Sequence, residues 1–179
     1  MRGIELVPLG RVDMRAVDFL SLVLPDTFRV PCSVRKLAID IEPAFDPKRR
    51  QYHSTKLIVR LLDFARRDYK MLGVTDVDLH IPILTFVFGE AQLGRYCAVV
   101  STSRLHQSFY GFEEDEVLFL ERLEKEAIHE LGHTLGLIHC PDYACVMHYA
   151  NAIEDIDLKA NTFCHACIST VQQNLLAGR

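Results

Sequence analysis

Apolar and polar positions alternate along this chain in two periods, and the first elements are a strand and a helix. Ile4 to Leu9 is an apolar run of strand length, and Val12 to Leu24 carries a helical pattern that Pro25 is expected to end. Val30, Cys32 and Val34 alternate with their neighbours as a half-buried strand does, and Pro43 to Arg50 reads as a polar, proline-bearing loop. From Ser54 to Tyr69, Leu57, Ile58, Leu61, Leu62 and Ala65 recur at helical spacing, which predicts an amphipathic helix lying on a sheet. Val74 to Leu79, Leu84 to Phe88 and Ala98 to Ser101 are β-rich runs, separated by Pro82 and by Gly89 to Tyr96. A long helix follows the acidic approach Phe112 to Glu116. Its apolar positions are Leu118, Leu120, Leu123, Ala127, Ile128, Leu131 and Leu135, and it ends near Gly136. Glu113, Glu114 and Asp115 complement the positive end of that helix dipole, or form a solvated charge run. Beyond Gly136 the pattern is irregular until Cys164 to Leu176, a terminal helix with Ile168, Val171, Leu175 and Leu176 as its buried stripe.

Strands and helices alternating in this way predict an α/β (α+β) fold, with a mixed, mostly parallel twisted sheet covered by helices and room for one reversed strand at the edge. With 179 residues and 49% hydrophobic content the chain suits one domain spanning 1–179. Its upper lobe runs to about residue 136 and its lower lobe over about 137–179. A net charge of −4 and a pI near 6.0 speak against nucleic acid as a partner. No apolar run reaches the roughly 18–20 residues of a membrane-spanning helix. Met1 to Gly10 holds Arg2, Glu5 and Pro8 and lacks the apolar core of a secretory segment, so a cytoplasmic location is expected.

The chemistry is concentrated in His129-Glu130-Leu131-Gly132-His133-Thr134-Leu135-Gly136-Leu137-Ile138-His139. Residues four apart on a helix differ by roughly 40° of rotation and about 6 Å of rise, so His129 and His133 share a face and can grip one ion. Glu130 sits about 100° around the axis, where it can reach a water on the metal without ligating the metal, the place of a general base. On a straight helix His139 would lie about 15 Å from His129, far beyond the Zn–N bond of about 2.0–2.1 Å. The helix must therefore stop and the chain turn back at Gly136, the residue that tolerates a left-handed turn. HExxHxxGxxH is a known zinc-peptidase signature, the metzincin pattern, and the added Gly and third His make it far more specific than HExxH alone.

After His139 the chain reads H-C-x4-C-x-M, through Cys140, Cys145 and Met147, followed by a C-x2-C pair, Cys164 and Cys167. This arrangement resembles the archaemetzincins, a metzincin family of zinc peptidases with a second, four-cysteine zinc site. The resemblance is specific over residues 129 to 167 and general before them. It implies two zinc ions per chain, peptide-bond hydrolysis through a zinc-bound water, and a peptide or protein substrate. It also implies a Met-turn, with Met147 packed beneath the catalytic zinc, and a cysteine–zinc knot that fixes the C-terminal third. Coordination chemistry supports the knot independently, because thiolates with x4 and x2 spacings converge on a tetrahedral ion and four sulfurs leave no position for substrate. The rival is a pair of disulfides, less suited to a cytosolic chain, and His165 offers a replacement for one sulfur. Cys32 and Cys97 stand apart as core residues.

In metzincins the substrate lies extended between the lobes and pairs with an edge strand. Sequence order and resemblance point to Leu84 to Gly89, with Gly94 to Val99 as the alternative; either run could equally be plain sheet. Met147-His148-Tyr149 is similar to the Met-turn of astacin-type and serralysin-type metzincins, where a tyrosine two residues after the methionine ligates zinc or stabilises the oxyanion. Two roles are open for Tyr149, that one and packing under the cleft. His148 reads as a hydrogen-bonded neighbour, and His53, His80 and His106 have no motif around them. Two readings of function follow. One is a zinc metallopeptidase with Glu130 as base, acting at termini or internally; the other is a zinc-stabilised peptide-binding protein with little proteolysis.

Overall fold

The computed structural model of the protein describes residues 1–175 and the backbone of Leu176. The chain runs β1 (Gly3–Leu9), α1 (Met14–Phe28), β2 (Cys32–Val34), β3 (Phe45–Asp46), β4 (Gln51–His53) and α2 (Ser54–Leu62). It continues through β5 (Tyr69–Thr75), β6 (Leu79–His80), β7 (Gly89–Ala91), β8 (Cys97–Ser101), α3 (Glu116–Thr134), α4 (Ile153–Leu158) and α5 (His165–Leu176). The main sheet has the order β2-β1-β5-β8-β7, parallel throughout except for β7, which runs antiparallel along β8 at the edge. A smaller sheet, β3-β4-β6, lies beside it.

Alternation along the strands sorts the core onto two faces. Ile4, Leu6, Leu72, Val74, Ala98 and Val100 join the buried residues of α1 and α3, while Val7, Leu9, Met71, Cys97 and Val99 join Leu57, Ile58 and Leu61 of α2. Each fully buried Val, Leu, Ile or Met among them contributes about 1.5–3 kcal/mol. The α1/α3 layer continues into the C-terminal segment through Cys145, Val146, Met147, Ile156, Cys167 and Val171. On α5, Val171 is buried and Ile168 and Leu175 are half-buried, as the stripe predicts; Leu176's side chain lies outside the described residues.

Several elements differ from the sequence reading. α1 does not stop before Pro25 but runs to Phe28, where Arg29 closes it in a left-handed conformation and its N–H binds the Pro25 carbonyl. Proline removes only the N–H that would pair with Ser21, on a half-exposed turn. Phe28, buried and edge-on to Phe163 at 5.9 Å, holds the last turn in place. The Pro43–Arg50 loop contains β3, paired with β4. The helix expected over 54–69 ends at Leu62, and Tyr69 to Thr75 is the central strand β5. That strand is buried on both faces and so shows no alternation, and Lys70 within it disguises the apolar run. The run Val74–Leu79 is divided, ending β5 and beginning β6 in the other sheet.

Leu84–Phe88 is not a strand. Its first carbonyls are taken by side chains, Leu84 O by Arg49 (2.7 Å), which also binds Pro82 O (3.2 Å), and Thr85 O by Gln51 (3.0 Å). After them Val87 makes only a single bridge to Leu79, and Phe88 O accepts the Ser101 N–H (2.8 Å). The edge begins only at Gly89, with β7. The alternative edge, Gly94–Val99, is also corrected, because β8 lies between β5 and β7 with both sides paired.

Candidate active site and cysteine cluster

α3 carries an unusual number of buried polar residues, and Arg122, Lys125 and Glu126 are answered by α4 and Lys159, which follow it. The helix opens on Asp115, whose carboxylate accepts the Leu118 N–H at 3.0 Å. Arg122 grips Asp157 with two bonds of 2.7 Å and donates to Leu105 O, and Lys125 donates to the carbonyls of Ile156 and Asp157 at the end of α4. Glu126 pairs with Lys159 at 2.7 Å, and both side chains are buried. These bonds fix the helix rotation, and with it the face that His129, Glu130 and His133 present.

The helix ends as the third histidine requires. Gly136 has a φ of +88°, its N–H binds His133 O at 2.9 Å and the Leu137 N–H binds Gly132 O at 3.1 Å, which is a Schellman closure. The chain then returns along the cleft and brings His139 to the other two histidines, so that one nitrogen from each of the three lies within 4.8 Å of the others. The Nδ1 of His129 faces Val146 O (2.8 Å) and that of His133 faces Leu137 O (2.7 Å), which makes each Nδ1 the protonated nitrogen and leaves Nε2 as a lone-pair donor. The two Nε2 atoms are 3.1 Å apart. Two nitrogens on a tetrahedral zinc, at bonds of about 2.0–2.1 Å, stand about 3.3 Å apart, so the donor set fits that ion. Burial, followed by the charge of Lys159, holds His129 well below the usual imidazole range, and burial lowers His133 and His139 as well. All three are thus neutral, as ligands must be.

Glu130 is buried beside them. Burial, then the charge of Glu126, pushes its carboxyl well above the carboxylate range, so a proton it accepts is readily held. It lies against Gly89 at the start of β7. A β-carbon on Gly89 would stand 2.6 Å from Glu130 Cγ and Oε1, a contact that the sequence alone does not reveal. These residues open on a cleft of about 490 Å³, walled by Leu84 to Gly89 on one side and by Tyr149, Ala150 and Asn151 on the other. Tyr149 is 48% exposed on that wall, its ring centroid 6.1 Å from His139, so it is not packed under the cleft.

Met147 is wholly buried beneath α3. A β-carbon on Gly132 would meet its Sδ at 2.5 Å, so glycine is what lets the sulfur approach the helix. The same turn supplies Val146 O to His129, and His148 Nδ1 faces Cys140 O at 2.9 Å. His148 is therefore a hydrogen-bonded neighbour, as its place in the sequence suggests. The sulfurs of Cys140, Cys145, Cys164 and Cys167 lie within 4.8 Å of one another, and none is in a disulfide. Cys140 and Cys164 stand 3.8 Å apart, the separation of about 3.8 Å that two Zn–S bonds of about 2.3 Å would give. His165 is exposed and is no member of this group. Cys97 is buried in the core on the α2 side, as expected, and Cys32 is half-buried against the α1/α3 core on the other face. Glu126 and Lys159 are absent from the sequence reading, and Gly89 enters it only as the end of a candidate edge run. Glu126 had a legible signal, lying one turn before Glu130 on the same helix face, whereas nothing marks Lys159 in advance.

Residues 27–173 match the model of a family described as peptidase family M54. An archaemetzincin of Pyrococcus furiosus is 39% identical, across 98% of this chain and 95% of that protein. Among solved structures, the archaemetzincin of Methanopyrus kandleri superposes with a TM-score of 0.85 at 36% identity, covering 98% of this chain and 96% of that one. A zinc-dependent peptidase of Methanocorpusculum labreanum gives 0.84 at 30% identity, covering 94% and 100%. Likeness of this extent, over nearly the whole of each chain, decides the matter: the protein belongs to peptidase family M54, the archaemetzincins, and is a zinc metallopeptidase.

Proposed function

We propose that His129, His133 and His139 hold the zinc ion of peptide hydrolysis, that Glu130 is the general base, and that Cys140, Cys145, Cys164 and Cys167 hold a second, structural zinc. The observation that carries this reading is the convergence of three neutral imidazoles beside a buried carboxylate in an open cleft. When bound, the ion supplies Lewis acidity, lowering the pKa of a water and polarising the scissile carbonyl. Val146 O and Leu137 O hold His129 and His133 in the tautomer that presents Nε2. Glu130 takes the proton of the attacking water and passes it to the leaving amine, a transfer its raised pKa favours. Met147 and its turn set the floor under the histidines in the role of a Met-turn. Tyr149, on the cleft wall, donates to the oxyanion, a role its exposure there supports. The free edge of β7 aligns an extended peptide or protein substrate through backbone bonds.

The continuity of the α1/α3 core into the C-terminal segment supports a single domain over the whole chain. Among the described residues no helix is long and apolar enough to cross a membrane, and the clustered free thiols suit a reducing, cytoplasmic setting. Glu130→Gln keeps the shape and removes the base. It should lower hydrolysis of quenched peptides by about 10²–10⁴ with zinc retained. Near wild-type turnover by the zinc-loaded variant would overturn the assignment, and wild-type protein that binds these peptides without cleaving them would favour the binding-protein reading.

A further inference from the structure

Beside Glu130, a second carboxylate of the cleft keeps an oxygen without a hydrogen bond among the described residues. Glu126 lines the cleft together with His129 and Glu130, and its Oε1 accepts from Lys159 Nζ at 2.7 Å, while Oε2 takes no hydrogen bond. The ion pair is well anchored. Lys159 is completely buried, and its ammonium also donates to His148 O at 3.3 Å, in the turn after Met147. Lys159 is not among the residues that line the cleft, and its bond to Oε1 anchors the carboxylate and leaves Oε2 for another donor. Oε2 is not among the fully enclosed polar atoms that lack a partner, so it stays accessible, and a ligand that brings a donor gains a charge-assisted hydrogen bond there. Glu126 lies one helical turn, about 6 Å of rise, from Glu130. A substrate side chain beside the scissile bond is therefore within its reach. The wall it would pass is mostly apolar, with Leu84, Phe86, Val87 and Phe88 beside Thr85.

We propose that Glu126 is a specificity-determining residue: its Oε2 receives the donor head of a long side chain, lysine, arginine or glutamine, on the substrate residue that flanks the scissile bond. Lys159 is the positioning residue behind it. An apolar stem lies along Leu84 and Phe86, the donor head meets Oε2, and an acidic side chain is rejected by like charge. The inference rests on the assignment of the three histidines and Glu130 as the reacting centre.

The test uses zinc-loaded, full-length protein and quenched peptides that differ at one flanking position, carrying Ala, Met, Gln, Lys or Glu, with the cleaved bond identified by mass spectrometry. Wild type should cleave the Gln or Lys peptide with kcat/KM at least about tenfold above the Met peptide, with the Glu peptide slowest. In Glu126→Met/Lys159→Met, which replaces the buried pair by apolar side chains of similar volume, Met should overtake both donors. If the double variant does not fold, Glu126→Asp keeps the charge and withdraws the carboxylate by one methylene, and the donor preference should shrink. Cleavage of the peptides by wild type without any donor preference, or a preference that survives in the variants, overturns the proposal and leaves the reacting centre standing. No cleavage of any peptide, the Ala peptide included, overturns both.

Discussion

Gly89→Ala is a sharp test of how the edge strand and the base are fitted together. The added carbon would stand 2.6 Å from Glu130 Cγ and Oε1 and 2.7 Å from Val99 O. Carbon atoms in good contact are about 3.5–4.0 Å apart, so roughly 1 Å must be found. Gly89 is not among the glycines with positive φ, so the backbone itself accommodates alanine and the cost is steric. Val99 is locked in the sheet between β5 and β7, so the backbone at Gly89 must lift away from β8 and Glu130 must give way with it. Moving a reacting group by about 1 Å costs on the order of 10² in rate, close to 3 kcal/mol of barrier. Overpacking should lower stability by about 1–3 kcal/mol. The measurements are kcat on a quenched peptide, zinc content by mass spectrometry and a thermal melt. The expected result is kcat reduced about a hundredfold with both metals retained. Gly111→Ala is the control: there φ is +83° and nothing lies within 4 Å of the added carbon, so backbone strain should cost about 1–2 kcal/mol of stability with kcat unchanged. A Gly89→Ala enzyme with full zinc and kcat within about threefold of wild type would refute the reasoning.

Tyr149→Phe should lower kcat far more than it raises KM, by up to about 10²–10³ if the phenol donates to the oxyanion; a kcat within about twofold of wild type removes it from the catalytic set. Cys145→Ala and Cys167→Ala each delete a buried thiol of the cluster and should lower the melting temperature by about 10 °C or more and reduce bound zinc, whereas unchanged melts and metal content would deny a structural site. Lys70 is buried, donates to Thr134 O and Arg95 O, and burial pushes its pKa down from 10.5 to about 8. Between those values the unfolded chain binds the proton and the folded one does not, so the penalty is in full force below pH 8 and is relieved as pH rises toward 10.5. The stability of wild type relative to Lys70→Met should therefore rise by about 2–3 kcal/mol from pH 7 to pH 10, and a flat difference would contradict the shift.

The site was more legible than the sheet. His129, Glu130, His133, Gly136 and His139 lie within eleven residues, and their geometry follows from helix pitch and one left-handed turn, both local properties. Cys140, Cys145, Cys164 and Cys167 are likewise legible because metal ligation restricts residue type and spacing together. β5 was hidden because a strand buried on both faces has no period of two, and Lys70 interrupts its apolar run. The stretch Leu84–Phe88 has strand composition, yet its backbone groups bind Arg49 and Gln51, more than thirty residues earlier, and no local pattern reports that. Pro25 misled for a related reason: a proline ends a helix unless tertiary packing holds the next turn, and Phe28 supplies that packing through Phe163, far along the chain. Lys159 belongs to the same class, since its meaning comes from Glu126 and His148 O, distant partners that no local pattern names.

His139 and Cys140 are consecutive, the Cys140 N–H binds Met147 O, and Val146 O holds His129. The stretch from Leu137 to His148 therefore behaves as a closed linkage with no spare links. Adding or removing one residue anywhere in it changes the reach of the histidine and of the first two cysteines at the same time, so its length is as constrained as its composition. The turn at Pro82–Thr85 is the opposite case. It hangs from two long side chains and takes part in no strand pairing, so the chain can absorb a change of length there while β7, β8 and the cleft floor keep their register.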